Sequence, residues 1–148
     1  MEGQFLKTTL LKEVMVKKPV TIDVEAHFSL VEDYFRRYHI RHLPVVDKGN
    51  VLKGIITQRD LYKIYTPRKT VDGDDVYDKR ELDRFILKYV MTKDPFALKA
   101  DDTLERLISV MVSTKYGCIP VVDEARKLLG IITQIDVLGA IEDRLIKG

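Results

Sequence analysis

Apolar and polar residues follow two periods along this chain, and the periods succeed each other in the same order twice. After Pro19, Val20-Thr21-Ile22 alternates apolar with polar, as a short strand does. Phe28, Val31, Tyr34, Phe35 and Tyr38 then recur at the spacing of one helix face. A compact apolar run at 43–46 and a second at 51–56 flank Asp47-Lys48-Gly49-Asn50, which is turn chemistry, so the two runs predict a hairpin. Leu61, Ile64 and Tyr65 continue as a closing helix.

The second pass matches the first. Residues 96–98 predict its strand, and Leu104, Leu107, Ile108 and Met111 one face of its helix. Runs at 119–122 and 128–132 predict its hairpin, and Val137, Leu138, Ile141 and Leu145 its closing helix. Asp102 with Glu105 reads as the capping box of the first helix. The order β-α-β-β-α therefore occurs twice, a mixed α/β (α+β) class.

The repetition extends to residue identity. Leu43-Pro44-Val45-Val46-Asp47 returns as Ile119-Pro120-Val121-Val122-Asp123, and Gly54-Ile55-Ile56-Thr57-Gln58-Arg59-Asp60 as Gly130-Ile131-Ile132-Thr133-Gln134-Ile135-Asp136. Between Val14 and Tyr62, 15 of 49 positions match the residue 76 later without a gap. A unit of this size is too small to bury a good core alone, so two copies packed around a shared cleft are expected. The stretch between them opens with polar, loop-like residues at 66–75. Asp78 and Glu81 then suggest a capping box ahead of Leu82, Phe85, Ile86 and Tyr89, which predict an amphipathic helix. This insert is placed to cover an opening, to mediate association, or simply to connect.

Composition narrows the function. With 25 basic against 23 acidic residues the net charge is +2, too small for an electrostatic nucleic-acid binder. No apolar run approaches the roughly 20 residues that span a bilayer, and the first nine residues lack the apolar core of a secretory signal. The only cysteine, Cys118, allows no internal disulfide and suits a reducing compartment. A cytoplasmic protein without membrane contact is expected.

The sharpest chemical element is Thr57-Gln-Arg-Asp60, echoed by Thr133-Gln-Ile-Asp136, each where a strand gives way to a helix. One reading is a helix cap contributing about 1 kcal/mol. The other is a ligand site, with the hydroxyl donating to phosphate and the carboxylate accepting from ribose. His39 and His42 lack the further ligands of a metal site. Cys118, before an apolar run, reads as core rather than nucleophile. No catalytic or nucleotide-loop fingerprint occurs, so an enzyme is not expected.

Taken as an ensemble, Val-Met-x-x-x-Pro, a helix, Pro-Val-Val-Asp and Gly-Ile-Ile-Thr-x-x-Asp resemble a tandem pair of CBS domains, the cystathionine β-synthase regulatory module. The insert and Ile40-Arg41-His42-Leu43-Pro44-Val45-Val46-Asp47 are similar to the stand-alone acetoin-utilisation type. The resemblance implies CBS repeats at 10–65 and 86–146, with 66–85 as inserted loop and start of the linking helix. It also implies a non-catalytic regulatory module with no required cofactor. Its cleft would bind AMP, ADP, ATP or S-adenosylmethionine and signal to an effector protein, the alternative being an interaction module that holds no nucleotide. Carried over by residue, Thr57 and Asp60, and Thr133 and Asp136, would hold phosphate or ribose. Val20, Ile40, Phe96 and Tyr116 would wall the adenine beside Pro44, Gly117 and Pro120, while Arg41, His42 and Arg59 would face phosphate. Flat homodimers formed through the helices are a further implication. Since Arg41-His42 is matched by Gly117-Cys118, and Arg59 by Ile135, the two sites are expected to be unequal.

Overall fold

In the computed structural model, which describes residues 3–148, the two passes become two mixed α+β units. The elements in order are Gln4–Thr8 (α1), Leu11–Val14 (α2), Val16–Lys17 (β1), Ile22–Asp23 (β2), Phe28–Tyr38 (α3), His42–Val46 (β3), Leu52–Thr57 (β4) and Gln58–Ile64 (α4). There follow Arg68–Lys69 (β5), Asp75–Val76 (β6), Lys79–Leu82 (α5), Leu87–Val90 (α6) and Thr92–Lys93 (β7). Leu98–Lys99 (β8), Leu104–Thr114 (α7), Cys118–Val122 (β9), Leu128–Thr133 (β10) and Gln134–Ile141 (α8) complete the order, before a π-helical turn at Glu142–Ile146.

Val20–Pro95 forms one compact unit; Phe96–Gly148, joined by the chain up to Pro19, forms the other. The first holds the sheet β2-β3-β4-β7 and the second the sheet β1-β10-β9-β8. In each, the hairpin predicted from paired apolar runs is present: β3 pairs antiparallel with β4, and β9 with β10, while β2 and β8 add in parallel. The hairpin turns repeat atom for atom. Asp47 Oδ1 accepts from the N–H groups of Gly49 and Val51, as Asp123 Oδ1 does from Ala125 and Lys127. Asn50 and Arg126 both turn through the left-handed region.

Units and repeats do not coincide. β1, near the start of the first repeat, pairs with β10 of the second, and β7, near the start of the second, pairs with β4 of the first. The cores follow the same exchange. Leu11 is buried with Leu104, Leu107, Ile119 and Val137, whereas Leu87 and Met91 are buried with Phe28, Phe35, Leu43 and Leu61. Each fully buried leucine of this kind contributes roughly 1.5–3 kcal/mol, so the exchanged segments are integral to both cores.

Glycine makes the exchange possible. A Cβ on Gly54 would lie 2.4 Å from Met91 Sδ and 2.8 Å from the Thr92 carbonyl oxygen; on Gly130 it would lie 2.6 Å from the Val16 carbonyl oxygen and 2.7 Å from Met15 Sδ. Both glycines sit where the exchanged strand lies against the hairpin, and neither position has room for a side chain.

Four expectations need correction. The predicted strands near 20–22 and 96–98 begin two residues later, at Ile22 and Leu98. The linking helix is two short turns, α5 and α6, broken at 83–86; Leu82 and Leu87 are buried but Ile86 and Tyr89 face outward, so one amphipathic face cannot run through them. The cap of α7 is Thr103, whose hydroxyl accepts from the Arg106 N–H at 3.2 Å; Asp102 instead accepts from the Lys99 N–H at 2.7 Å, one turn earlier. The polar insert is also more ordered than a loop. β5 and β6 form a hairpin turned by Gly73 at φ +86°.

Gly54→Ala and Gly130→Ala should each destabilise the protein by about 2 kcal/mol through overpacking. Urea denaturation measures this directly. Gly49→Ala, whose Cβ would meet nothing closer than 3.4 Å, should change stability by less than about 0.5 kcal/mol.

Candidate functional site

The strand-to-helix junction is built alike in both repeats. Thr57 Oγ1 accepts from the Asp60 N–H at 3.1 Å, and Asp60 Oδ2 accepts from the Thr57 N–H at 2.9 Å. Thr133 and Asp136 repeat the exchange at 3.4 and 2.8 Å, and the Thr133 hydroxyl lies 3.0 Å from Asp136 Oδ2 as its donor. Both are full capping boxes. The cap does not exhaust the chemistry: among the described residues the hydrogen bonds to each aspartate fall on Oδ2, leaving Oδ1 of Asp60 and of Asp136 able to accept from a diol.

The hairpin register sets the neighbours of each junction. His42 lies across from Thr57 and Cys118 across from Thr133. The Gln58 N–H donates to the Arg41 carbonyl at 3.0 Å, and the Gln134 N–H to the Gly117 carbonyl at 3.1 Å. Ile40, Arg41 and His42 are thereby locked beside Thr57 to Asp60, and Tyr116, Gly117 and Cys118 beside Thr133 to Asp136. Gln58 and Gln134 were not among the expected site residues, although their identity in both copies was a visible signal. Parallel pairing of Ile22 with Val45, and of Leu98 with Val121, carries Val20 and Phe96 toward the same end of each sheet. Pro44 and Pro120 are buried within their strands.

Electrostatics separates the two junctions. Arg36 and Arg37, near Arg41 in sequence, are held by Glu32 and Asp33 at 2.7–3.2 Å. Arg41 and Arg59 are exposed and join no ion pair among the described residues. His42 is half-buried, and burial, followed by the Arg41 cation, holds its imidazole below the usual histidine range. It thus offers a neutral donor and acceptor beside Arg41. The second junction has no cation at these positions. Cys118 is buried, and burial, with a smaller contribution from Asp136, pushes its thiol up to about 12. The apolar walls differ too: Val20 and Ile40 pack partly against the core, whereas Phe96 and Tyr116 are 43% and 50% exposed.

In the Val20–Pro95 unit the inserted hairpin stands over α3 and α4 and encloses with them a cavity of about 730 Å³. Its lining includes Ile40, Arg41, Gln58, Tyr62, Lys69 and Tyr77. A Lys69–Asp75 ion pair ties the two strands of the hairpin to each other, while a Tyr62 hydroxyl to Asp75 contact at 3.4 Å and a Tyr65–Tyr77 ring contact at 5.7 Å hold it to α4 and the residue after it. Among the described residues no group of three or more His, Cys, Asp and Glu is gathered as for a metal, and no helix is long and apolar enough to cross a membrane.

Comparison with known proteins places this geometry. The CBS domain model matches residues 11–66 and 87–143. The chain is 30% identical over 137 residues, 93% of its length, to an uncharacterised protein of Methanocaldococcus jannaschii, of which it spans 47%. It spans 22% of a similar inosine-5′-monophosphate dehydrogenase from the same organism, so it covers less than half the length of these relatives. Among solved structures it resembles an acetoin utilisation protein of Vibrio cholerae, with TM-score 0.73, 25% identity and 90% of each chain covered. It also shares the fold of a CBS domain pair in complex with 5′-methylthioadenosine and S-adenosyl-L-methionine, with TM-score 0.74 and 24% identity over 91% of this chain and 97% of that one.

Because the folded pKa of His42 is lowered, the native state binds fewer protons than the unfolded chain. Its contribution to stability is full above about pH 6.5 and declines as pH falls through that value toward the folded pKa. Proton NMR should place the His42 midpoint below the ordinary histidine value, and a midpoint at or above it contradicts this electrostatic picture. Iodoacetamide should label Cys118 only once urea unfolds the chain; rapid labelling of native protein contradicts its burial.

Proposed function

The chain belongs to the CBS domain family, and on that premise we propose that it is a non-catalytic regulatory module for adenosine-containing ligands. The observation that carries the reading is the repeated Thr-x-x-Asp junction, whose capping box still leaves one carboxylate oxygen free beside residues 40–42 or 116–118. In this reading Asp60 and Asp136 accept from the two ribose hydroxyls, and the residues at 20 and 40, or 96 and 116, flank the adenine. Support comes from the neighbouring CBS domain pair that holds two adenosyl compounds.

The junctions take different ligands. Free guanidinium groups at Arg41 and Arg59 favour a phosphorylated adenosine such as AMP, ADP or ATP, since charge-assisted bonds to phosphate are the strong ones. The second junction, with Gly117, Cys118 and Ile135, suits an adenosyl group without phosphate, such as that of S-adenosylmethionine. Binding favours the conformation that the ligand contacts best, and a partner reads that shift. The partner is proposed to be a second copy together with an effector protein, in the reducing cytoplasm that suits the lone buried thiol.

Calorimetry tests the assignment. Arg41→Ala should weaken ATP binding about tenfold or more while leaving S-adenosylmethionine unchanged. Asp60→Asn, which keeps a capping acceptor, should weaken it by roughly 10- to 100-fold. At ligand concentrations about 100 times Kd the folded state gains about 2.7 kcal/mol, so melting temperature should rise with the same ligands. Unchanged ATP affinity in both variants rejects the phosphate assignment. No binding across AMP, ADP, ATP and S-adenosylmethionine favours the rival reading, a protein-interaction module whose Thr-x-x-Asp motifs are caps alone.

A further inference from the structure

The inserted hairpin roofs a cavity in the first repeat whose polar lining the second repeat does not share. At a displacement of 76, Glu32, Arg41 and Tyr62 become Ile108, Gly117 and Leu138. At about 730 Å³ the space lies within the range of about 300–1,000 Å³ that small-molecule sites occupy. Three acids and three strong bases line it, and most of that charge is settled within the chain. Arg36 Nε donates to Glu32 Oε1 at 3.2 Å, and Lys69 pairs with Asp75. Left over are one cation, Arg41, and two acidic acceptors, Asp74 and the second oxygen of Glu32. None of these three joins an ion pair among the described residues.

The leftover groups stand at two ends. Glu32 is only 9% exposed, whereas Arg41 and Asp74 are exposed and so form the rim. No fully enclosed side-chain oxygen among the described residues lacks a partner, so Glu32 Oε2 opens onto the cavity. A carboxylate withdrawn from water is costly unless cations or donors surround it, and Arg36 meets this one through a single bond. Tyr77 shares that inner end. Burial first, and then the Tyr62, Asp75 and Glu32 groups beside it, hold its phenol above the usual range. Along α3, Glu32 lies roughly 10 Å from His39, where the chain turns toward Arg41.

We propose that the cavity beneath the inserted hairpin is a binding site for a basic α-amino acid, such as lysine, ornithine or arginine. The fit is one of charge and of length. The side-chain cation sits at the inner end, on Glu32 Oε2 and against the Tyr62 and Tyr77 rings, where charge-assisted bonds and ring faces favour it. At the rim the α-carboxylate meets Arg41 and the α-ammonium meets Asp74. Two cations and one carboxylate on the ligand thus answer two acids and one cation on the protein. The separation of the two ends excludes short amino acids. Asp74 and Tyr77 come from the insert, whose role is then to complete this site. The site borders the first junction at Arg41 but does not depend on the adenosine reading.

Calorimetry on the full chain with L-lysine and L-arginine tests the assignment. One or both should bind. Norleucine, which lacks the side-chain cation, and cadaverine, which lacks the carboxylate, should bind at least about tenfold more weakly. Glu32→Gln should weaken the amino acid about tenfold or more, and Asp74→Asn about threefold, with ATP affinity unchanged in both. Asp74 is exposed on the hairpin, so D74N keeps the test decisive if E32Q disturbs packing, which circular dichroism reports. Norleucine binding as tightly as lysine, or lysine binding that survives both substitutions, overturns the proposal. If ATP binds but neither lysine nor arginine does, the amino-acid site falls and the adenosine reading stands. If lysine binds and no adenosine compound does, the site stands and the adenosine reading falls.

Discussion

The crossing of an exchanged strand over a side-chain-free point in each hairpin is the constraint on which the rest of the structure depends. At Gly54 the backbone of Thr92 and the side chain of Met91 come closer than any Cβ allows, and Gly130 receives Met15 and Val16 in the same way. This approach lets β7 complete the first repeat's sheet and β1 the second's. It also brings Leu87 and Leu11 into cores their own repeats do not form. Each of the two units is therefore completed by the opening segment of the other repeat. Lys18 and Asp94, which end the exchanged strands, share a left-handed turn that redirects the chain toward β2 and β8.

On this common scaffold the chemistry diverges through few side chains. The hairpin register and the Gln58 and Gln134 amides hold the same three positions against the same capping box in both repeats. Two free arginines and a neutral histidine occupy one junction; glycine, a protonated thiol and an exposed isoleucine occupy the other. The helix grooves diverge in the same manner. One is polar and roofed by the chain's own hairpin, and the other is apolar and bare. A shared backbone pattern with unlike side chains gives the junction and the helix groove of each repeat a chemistry of its own.

Much of this was legible in the sequence because it is local. Apolar runs around an Asx turn gave the hairpins, and Thr-x-x-Asp gave both caps, since each is decided within a few neighbouring residues. The exchanged strands were not legible, because two residues carry no alternation and their partners lie more than 35 residues away. The inserted hairpin was hidden for a similar reason: its strands are polar, and tyrosines at 62, 65 and 77 rather than a core face hold it. Thr103 took the cap expected of Asp102 because an aspartate one residue earlier is drawn to the Lys99 amide instead. At the junctions, the charge states were not legible in the sequence. The neutrality of His42 depends on burial, and the pairing of Arg36 and Arg37 with Glu32 and Asp33 depends on helical geometry.

The most direct test of the central claim, that the two junctions are distinct adenosine sites, is an amide-resolved NMR titration of the full chain. ATP should shift the amides of residues 40–42 and 57–60 most strongly, and S-adenosylmethionine those of 116–118 and 133–136. Both ligands perturbing one junction alone, or neither junction responding, would contradict the account.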